Sequence, residues 1–294
     1  MALPLPTTAT LFLLAGLAAS CSGAADDAPP VATPSLALGA PAAAIGSPIE
    51  MTYRFAVAPD APALTDEYVV FVHFLDSDGE MMWTDDHQPP TPVSRWTPGA
   101  VIEYSRTMFI PKFPYVGETR VEIGIFNPAS GDRLPLAAAG DDRSYPVATF
   151  DMRLATDNLL VVFQDGWHDT EVATEVMPSE WQWSRGDATL SFRNPRRDIR
   201  FYLQADQPAA SVLTAPQQVE LRIGEAVIDR FTMGQAGTEL RQIPVSAAQL
   251  GEGETVEVTV AVDQTFVPAA LPAMQSGDPR ELGIRVFRAF VQPE

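Results

Sequence analysis

The sequence predicts an all-β protein built from two tandem antiparallel β-sandwiches, and three observations carry that expectation. Short runs of β-branched and aromatic residues alternate with polar ones at a period of two, as half-buried strands require. Gly-, Asn- and Asp-containing turns separate these runs at hairpin spacing. The chain also holds 27 prolines; proline lacks an N–H and clashes inside a helical turn but is tolerated at strand ends and in loops, so little room is left for long helices. With 294 residues, the chain can form two domains that each bury a core without crosslinks.

The chain begins with an address. Leu11 to Leu17 is an apolar core of signal-peptide length, too short to span a bilayer, and residues 1–20 are read as a signal peptide. It runs into Leu17-Ala-Ala-Ser-Cys21, which resembles the lipobox of bacterial lipoproteins. The resemblance implies that Cys21 is acylated and becomes the mature N-terminus. Cys21 is the chain's one cysteine, so it has no internal disulfide partner. The competing reading is an ordinary cleavable signal in which Cys21 is incidental. The segment before the apolar core departs from the usual pattern in carrying no Lys or Arg. Ser22 after the cysteine resembles the outer-membrane default of cells with two membranes. Beyond it, residues 21–47 are rich in Ala, Pro, Gly, Ser and Asp, and are expected to form a disordered tether.

Residues 48–153 are expected to form the first sandwich. Ile49, Met51, Tyr53, Phe55 and Val57 alternate with Glu50, Thr52 and Arg54. Tyr68 to Leu75 is a continuous apolar run that turns through Asp76-Ser-Asp-Gly79. Ile102, Tyr104, Met108 and Ile110 supply another inward row that Arg106 interrupts, and Val121, Ile123 and Ile125 a further one. Asp76, Asp78 and Glu80 suggest calcium, but a hairpin turn closed by Gly79 explains them, since no loop supplies the remaining oxygens. His73 and His87 with Asp85 and Asp86 suggest a metal; a packed, hydrogen-bonded histidine is the simpler reading of His73. Trp96 is read as a loop anchor. The segments Tyr68 to Asp76, Ser94 to Gly99 and Gly124 to Leu136 are similar to an immunoglobulin-like β-sandwich module appended to membrane glycosyltransferases. This chain has no multi-spanning catalytic part, so the resemblance implies a module and not a transferase.

Residues 154–294 are expected to form the second sandwich, of jelly-roll-like type. Leu190 and Phe192, Phe201 and Leu203, Val219 and Leu221, and Val256 to Val262 give four period-two rows. Ser246 to Leu250, ended by Gly251, is the one helical hint. The motifs Gly166-Trp-His168, Trp181-Gln-Trp183, Val262 to Pro268 and Asp278 to Val286 resemble carbohydrate-binding-like sandwich domains of surface-polysaccharide systems. Binding a sugar would take aromatic faces for its C–H side and a few polar groups for its hydroxyls. The candidates are Trp167, Trp181, Trp183 and Phe266, with His168, Glu171 and Asp263 beside them; the competing reading places the tryptophans in the core. Asp278, Arg280 and Glu281 either pin a loop by ion pairing or line a polar site.

A net charge of −19 and a sequence read as holding no basic patch argue against nucleic acid as a partner. No nucleophile elbow, metalloprotease helix, P-loop or dinucleotide-binding glycine pattern occurs, so neither a catalytic set, a metal site nor a cofactor is expected. The leading reading is a non-catalytic, extracytoplasmic lipoprotein of the cell envelope. It would meet the membrane through lipid on Cys21 and bind glycan or support surface-polysaccharide assembly. The alternatives are a scaffolding lipoprotein that binds other envelope proteins and, third, an undetected glycoside hydrolase.

Overall fold

The computed structural model describes residues 28–155, 159–173, 179–234 and 237–294. Cys21 and the signal segment lie outside the described residues. Among the described residues, eighteen strands, one short α-helix and three single 3-10 turns make up the regular structure, and no helix is long and apolar enough to cross a membrane. The chain divides into two compact units: one takes in the chain through Gly39, Glu50–Arg106 and Thr119–Thr149, the other Ala40–Ile49, Thr107–Glu118 and Phe150–Glu294.

The first eight strands are β1 (Ala32–Leu38), β2 (Ala42–Ala44), β3 (Pro48–Val57), β4 (Val69–Leu75), β5 (Met81–Thr84), β6 (Val101–Phe109), β7 (Gly117–Phe126) and β8 (Tyr145–Arg153). They form two sheets, ordered β1-β3-β6 and β2-β8-β7-β4-β5. The alternation on β3 holds residue by residue: Ile49, Met51, Tyr53, Phe55 and Val57 are buried, and Glu50 and Arg54 are exposed. Val121, Ile123 and Ile125 are fully buried on β7, as are Val70, Val72 and Phe74 on β4. Trp96 is an anchor, its ring packed 5.0 Å from Phe55 and its indole N–H bonded to the Thr91 carbonyl.

One expectation is corrected here. The stretch read as a disordered tether contains β1, which pairs along its whole length with β3 from Ala32 opposite Val57 to Leu38 opposite Met51. It also contains β2, which runs parallel to Asp151–Arg153 of β8. Few large side chains are needed for this. Ala32 and Pro34 are buried at alternating positions, and backbone hydrogen bonds to an existing strand supply the rest, which composition alone does not show.

The polar residues that suggested metal sites have structural partners. One Asp76 carboxylate oxygen accepts the backbone N–H groups of Asp78 and Glu80, and Gly79 takes φ 82°, as the tight turn demands. The Asp86 carboxylate accepts from the Val72 N–H. Buried His87 sits between the Asp85 carbonyl (Nδ1, 2.9 Å) and the Tyr104 hydroxyl (Nε2, 2.8 Å). A carbonyl only accepts, so Nδ1 carries the proton and Nε2 accepts from tyrosine. Burial pushes the imidazole pKa down to about 4.

The remaining strands are β9 (Val162–Phe163), β10 (Glu171–Ala173), β11 (Ser179–Trp183), β12 (Asp187–Arg193), β13 (Ile199–Asp206), β14 (Gln218–Ile223), β15 (Ala226–Thr232), β16 (Glu239–Val245), β17 (Thr255–Val262) and β18 (Arg285–Pro293). Helix α1 (Ala247–Leu250) lies between β16 and β17 and is stopped by Gly251 at φ 71°. Ser246 caps it, accepting from the Gln249 N–H while the Gln249 side chain accepts from the Ser246 N–H. Two five-stranded sheets result, β10-β11-β18-β13-β16 and β15-β14-β17-β12-β9. Their inner rows meet in one core: Leu190, Phe192, Val219, Leu221, Val256, Val258 and Val260 from the second sheet face Phe201, Leu203, Ile243, Val245, Val286 and Val291 from the first. That shared core makes the unit a sandwich.

Candidate functional site

The seven residues singled out for sugar binding separate into three groups. Trp167 is half-buried and packs against the main core: its ring meets Phe163 edge-on at 4.8 Å, and its indole N–H donates to the Thr189 carbonyl at 2.8 Å. Asp263 is exposed, and its carboxylate accepts from the Gln218 N–H, fixing the chain where β17 ends. The other five, Trp181, Trp183, Phe266, His168 and Glu171, gather around β11, the strand next to edge strand β10 in the first sheet of the second unit.

On β11 the period of two puts Trp181 and Trp183 on the same side of the sheet. Their environments differ. Trp183 is 7 % exposed and forms a small cluster with Ala209, Phe266 and Leu282, its ring 5.8 Å from that of Phe266. Trp183 and Phe266 are therefore core residues, which corrects their reading as sugar platforms. The chain after β17 folds over them, with Leu271 and Met274 packed against the cluster.

Trp181 is only half-buried. The Arg285 guanidinium lies 5.0 Å from its ring centroid, 4.9 Å from that of Phe287 and 5.9 Å from that of Trp183, so one cation packs on three neighbouring aromatic rings. Asp206 fixes that guanidinium with two hydrogen bonds, Nε to Oδ1 at 2.8 Å and Nη2 to Oδ2 at 2.6 Å. The Trp181 indole N–H is shielded from solvent and has no acceptor among the described residues. A donor left so costs free energy until a water or ligand oxygen meets it.

Polar groups border this layer. Glu171 lies directly across from Trp181 in the β10–β11 pair. Its carboxylate accepts from Arg280 Nη2 at 2.7 Å, and Arg280 also grips Asp278 through Nε and Nη2. The hydrogen bond from Arg280 holds the Asp278 carboxyl below its usual range, and the same contact pushes the guanidinium up. His168 donates from Nε2 to the Glu281 carbonyl at 2.8 Å. Of the two readings of Asp278, Arg280 and Glu281, ion pairing accounts for the first two, while Glu281 accepts from the Thr265 hydroxyl. A carboxyl held low is a poor proton donor at neutral pH.

Arg285, Phe287 and Asp206 were not among the sequence candidates. A signal for two of them exists: in Gly283-Ile-Arg-Val-Phe287, Ile284 and Val286 point into the core, so Arg285 and Phe287 share the outer side. Asp206 carries no such signal, because only the pairing of β13 with β18 brings it opposite Arg285.

No protein-family model and no curated protein matches this chain. Among solved structures, it is similar to the Pseudomonas fluorescens alkylpurine DNA glycosylase AlkC bound to DNA containing an abasic site analog, at 18% identity, 42% of this chain, 31% of that chain and a TM-score of 0.26. It is also similar to the CBM51-2 and INT domains of Clostridium perfringens ZmpB, at 6% identity, 61% of this chain, 38% of that chain and a TM-score of 0.27. A longer ZmpB structure, the M60 catalytic domain with CBM51-1 and CBM51-2, gives 7% identity, 84% of this chain, 34% of that chain and a TM-score of 0.25. The chain spans about a third of the length of these structures. Likeness at this level assigns neither a family nor a function.

Proposed function

We propose that this chain is a non-catalytic, glycan-binding lipoprotein of the cell envelope, anchored through lipid on Cys21, whose second unit holds a sugar against Trp181. The observation that carries the reading is the half-buried Trp181 ring, packed with Arg285 and Phe287 and opposite Glu171. An aromatic surface of this kind suits the C–H face of a pyranose, and the Glu171 carboxylate suits its hydroxyls. Arg285 is locked by Asp206, so the platform is ordered before any ligand arrives, which lowers the entropy cost of binding.

A glycan array with the purified full-length protein, followed by calorimetry on the best ligand, tests this reading. Trp181→Ala is expected to weaken affinity several-fold, since a stacked aromatic contributes on the order of 1 kcal/mol beyond its buried area. Absence of binding to any glycan, or unchanged affinity in Trp181→Ala, overturns it.

A further inference from the structure

Thirty-eight acidic residues face nineteen basic ones in this chain, and most of its arginines are neutralised by a nearby carboxylate, as Arg106 is by Asp85, Arg241 by Asp229 and Arg285 by Asp206. The turn that carries the chain from β12 to β13 differs. Arg193, Arg196 and Arg197 fall within five residues, and none makes an ion pair among the described residues. Asp198, the acid next in sequence, and Glu294, whose N–H bonds to the Asp198 carbonyl, are both engaged elsewhere. Asp198 accepts the Ala247 N–H at the start of α1, and Glu294 is held by Arg200 at 2.7 Å.

The turn is built and not loose. Buried Asn194 donates to the carbonyls of Gly251 and Gly253 and accepts the Arg196 N–H, while its own N–H bonds to the Glu254 carbonyl. Beside it opens a groove of about 990 Å³ lined by the three arginines, by Glu254 as the one acid, and by Leu159, Leu160 and Pro293. Among the described residues, three guanidinium groups against one carboxylate leave the groove cationic, a basic patch that the sequence reading did not find.

We propose that this groove binds a short anionic oligosaccharide, with Arg193, Arg196 and Arg197 reading its acid groups and Leu160 and Pro293 receiving its apolar C–H faces. Guanidinium forks match carboxylate and phosphate oxygens two at a time, and the volume suits a ligand of a few rings. The surrounding negative charge disfavours a long polyanion such as nucleic acid, and leaves a ligand whose acid groups converge on one turn. The site goes beyond the Trp181 face. β18 runs from Arg285, in that face, to Pro293, in the groove, a separation of about 26 Å at strand rise.

The test is calorimetry of the full-length protein with trigalacturonate, its neutral methyl ester, poly-L-glutamate and phosphatidylglycerol vesicles. Trigalacturonate is expected to bind, with the ester roughly tenfold weaker, and R196Q/R197Q to lose roughly tenfold in affinity at an unchanged melting temperature. R193Q, on the exposed side of β12, gives the same reading if the turn variant folds poorly. Arg185→Gln, away from the groove, and Trp181→Ala are expected to leave trigalacturonate binding as it is. The proposal is overturned if trigalacturonate does not bind, if the ester binds equally, or if the groove variants bind as wild type. It is also overturned by loss in Trp181→Ala, or by tighter binding of the vesicles or the acidic polypeptide. Because the Trp181 variant separates the two sites, failure here leaves the first reading standing, and unchanged glycan affinity in Trp181→Ala, which sinks the first reading, leaves this one standing.

Discussion

Trp181 and Trp183 stand two residues apart in an identical strand context, and sequence reasoning treats them alike. What separates them is depth: Trp183 lies inside the cluster with Phe266 and Leu282, which the chain between β17 and β18 supplies, while Trp181 packs against that cluster and stays half-buried; no local pattern encodes that difference. Trp183→Ala is therefore expected to cost about 3 kcal/mol through the cavity it leaves, a fall of roughly 10 °C in melting temperature for a unit of this size. Trp181→Ala should shift affinity and leave melting within a few degrees, so differential scanning calorimetry beside ligand titration distinguishes the two. His87 makes a second residue-scale prediction. Its folded pKa of about 4 lies below the ordinary 6.5, so the unfolded chain takes up a proton first as pH falls. The stability tied to neutral His87 is then complete above pH about 6.5 and is lost progressively toward pH 4, by on the order of 3 kcal/mol. Burial holds Asp85 above its usual range, which works in the opposite sense where that carboxyl titrates. The His87 effect is thus read as the difference between wild type and His87→Gln: denaturant midpoints of the variant should depend less on pH between 6.5 and 4. Equal pH dependence in both would remove His87 as the cause.

At the scale of elements, strands whose side chains do the burying were legible. β3 alternates as read, and the rows on β12, β13, β14 and β17 all enter the shared core. The short helix was legible for the same kind of reason, since Ser246, Gln249 and Gly251 are cap chemistry. β1 was not. Its side chains are small, and what orders it is the ladder to β3, together with Val31 bonded to the Pro135 carbonyl and Ala137 bonded to the Ala32 carbonyl. Composition-based reasoning weighs apolar side chains and is blind to a strand that is stabilised chiefly through its backbone. Deleting residues 32–38 is expected to expose the β3 edge, lower the melting temperature of the first unit by several degrees or more, and promote association. A deletion variant that melts with wild type and stays monodisperse in light scattering would show that β1 contributes little.

At the scale of the whole molecule, the net charge of −19 and the lone cysteine bear on where such a protein can work. An acidic surface is repelled by anionic lipid headgroups, and screening at physiological salt limits that repulsion to about 8 Å. Residence at a membrane therefore calls for an anchor that does not depend on surface charge. The proposed lipidation of Cys21 would supply one: each buried methylene of an acyl chain would gain roughly 0.8 kcal/mol, and more than one chain is needed for stable attachment. Diacylation meets that requirement and a single chain does not. The prediction is that wild-type protein partitions into the detergent phase and with membranes, whereas Cys21→Ala appears in the soluble fraction with its two units folded. Mass spectrometry of the mature N-terminus should find Cys21 as the first residue, heavier by the mass of its acyl groups. If Cys21→Ala stays with membranes and high salt does not release it, attachment runs through something other than the cysteine, and the lipoprotein reading is lost. Release of that variant by salt alone would point instead to a charged protein partner, the scaffolding alternative, which the acidic surface would favour over lipid.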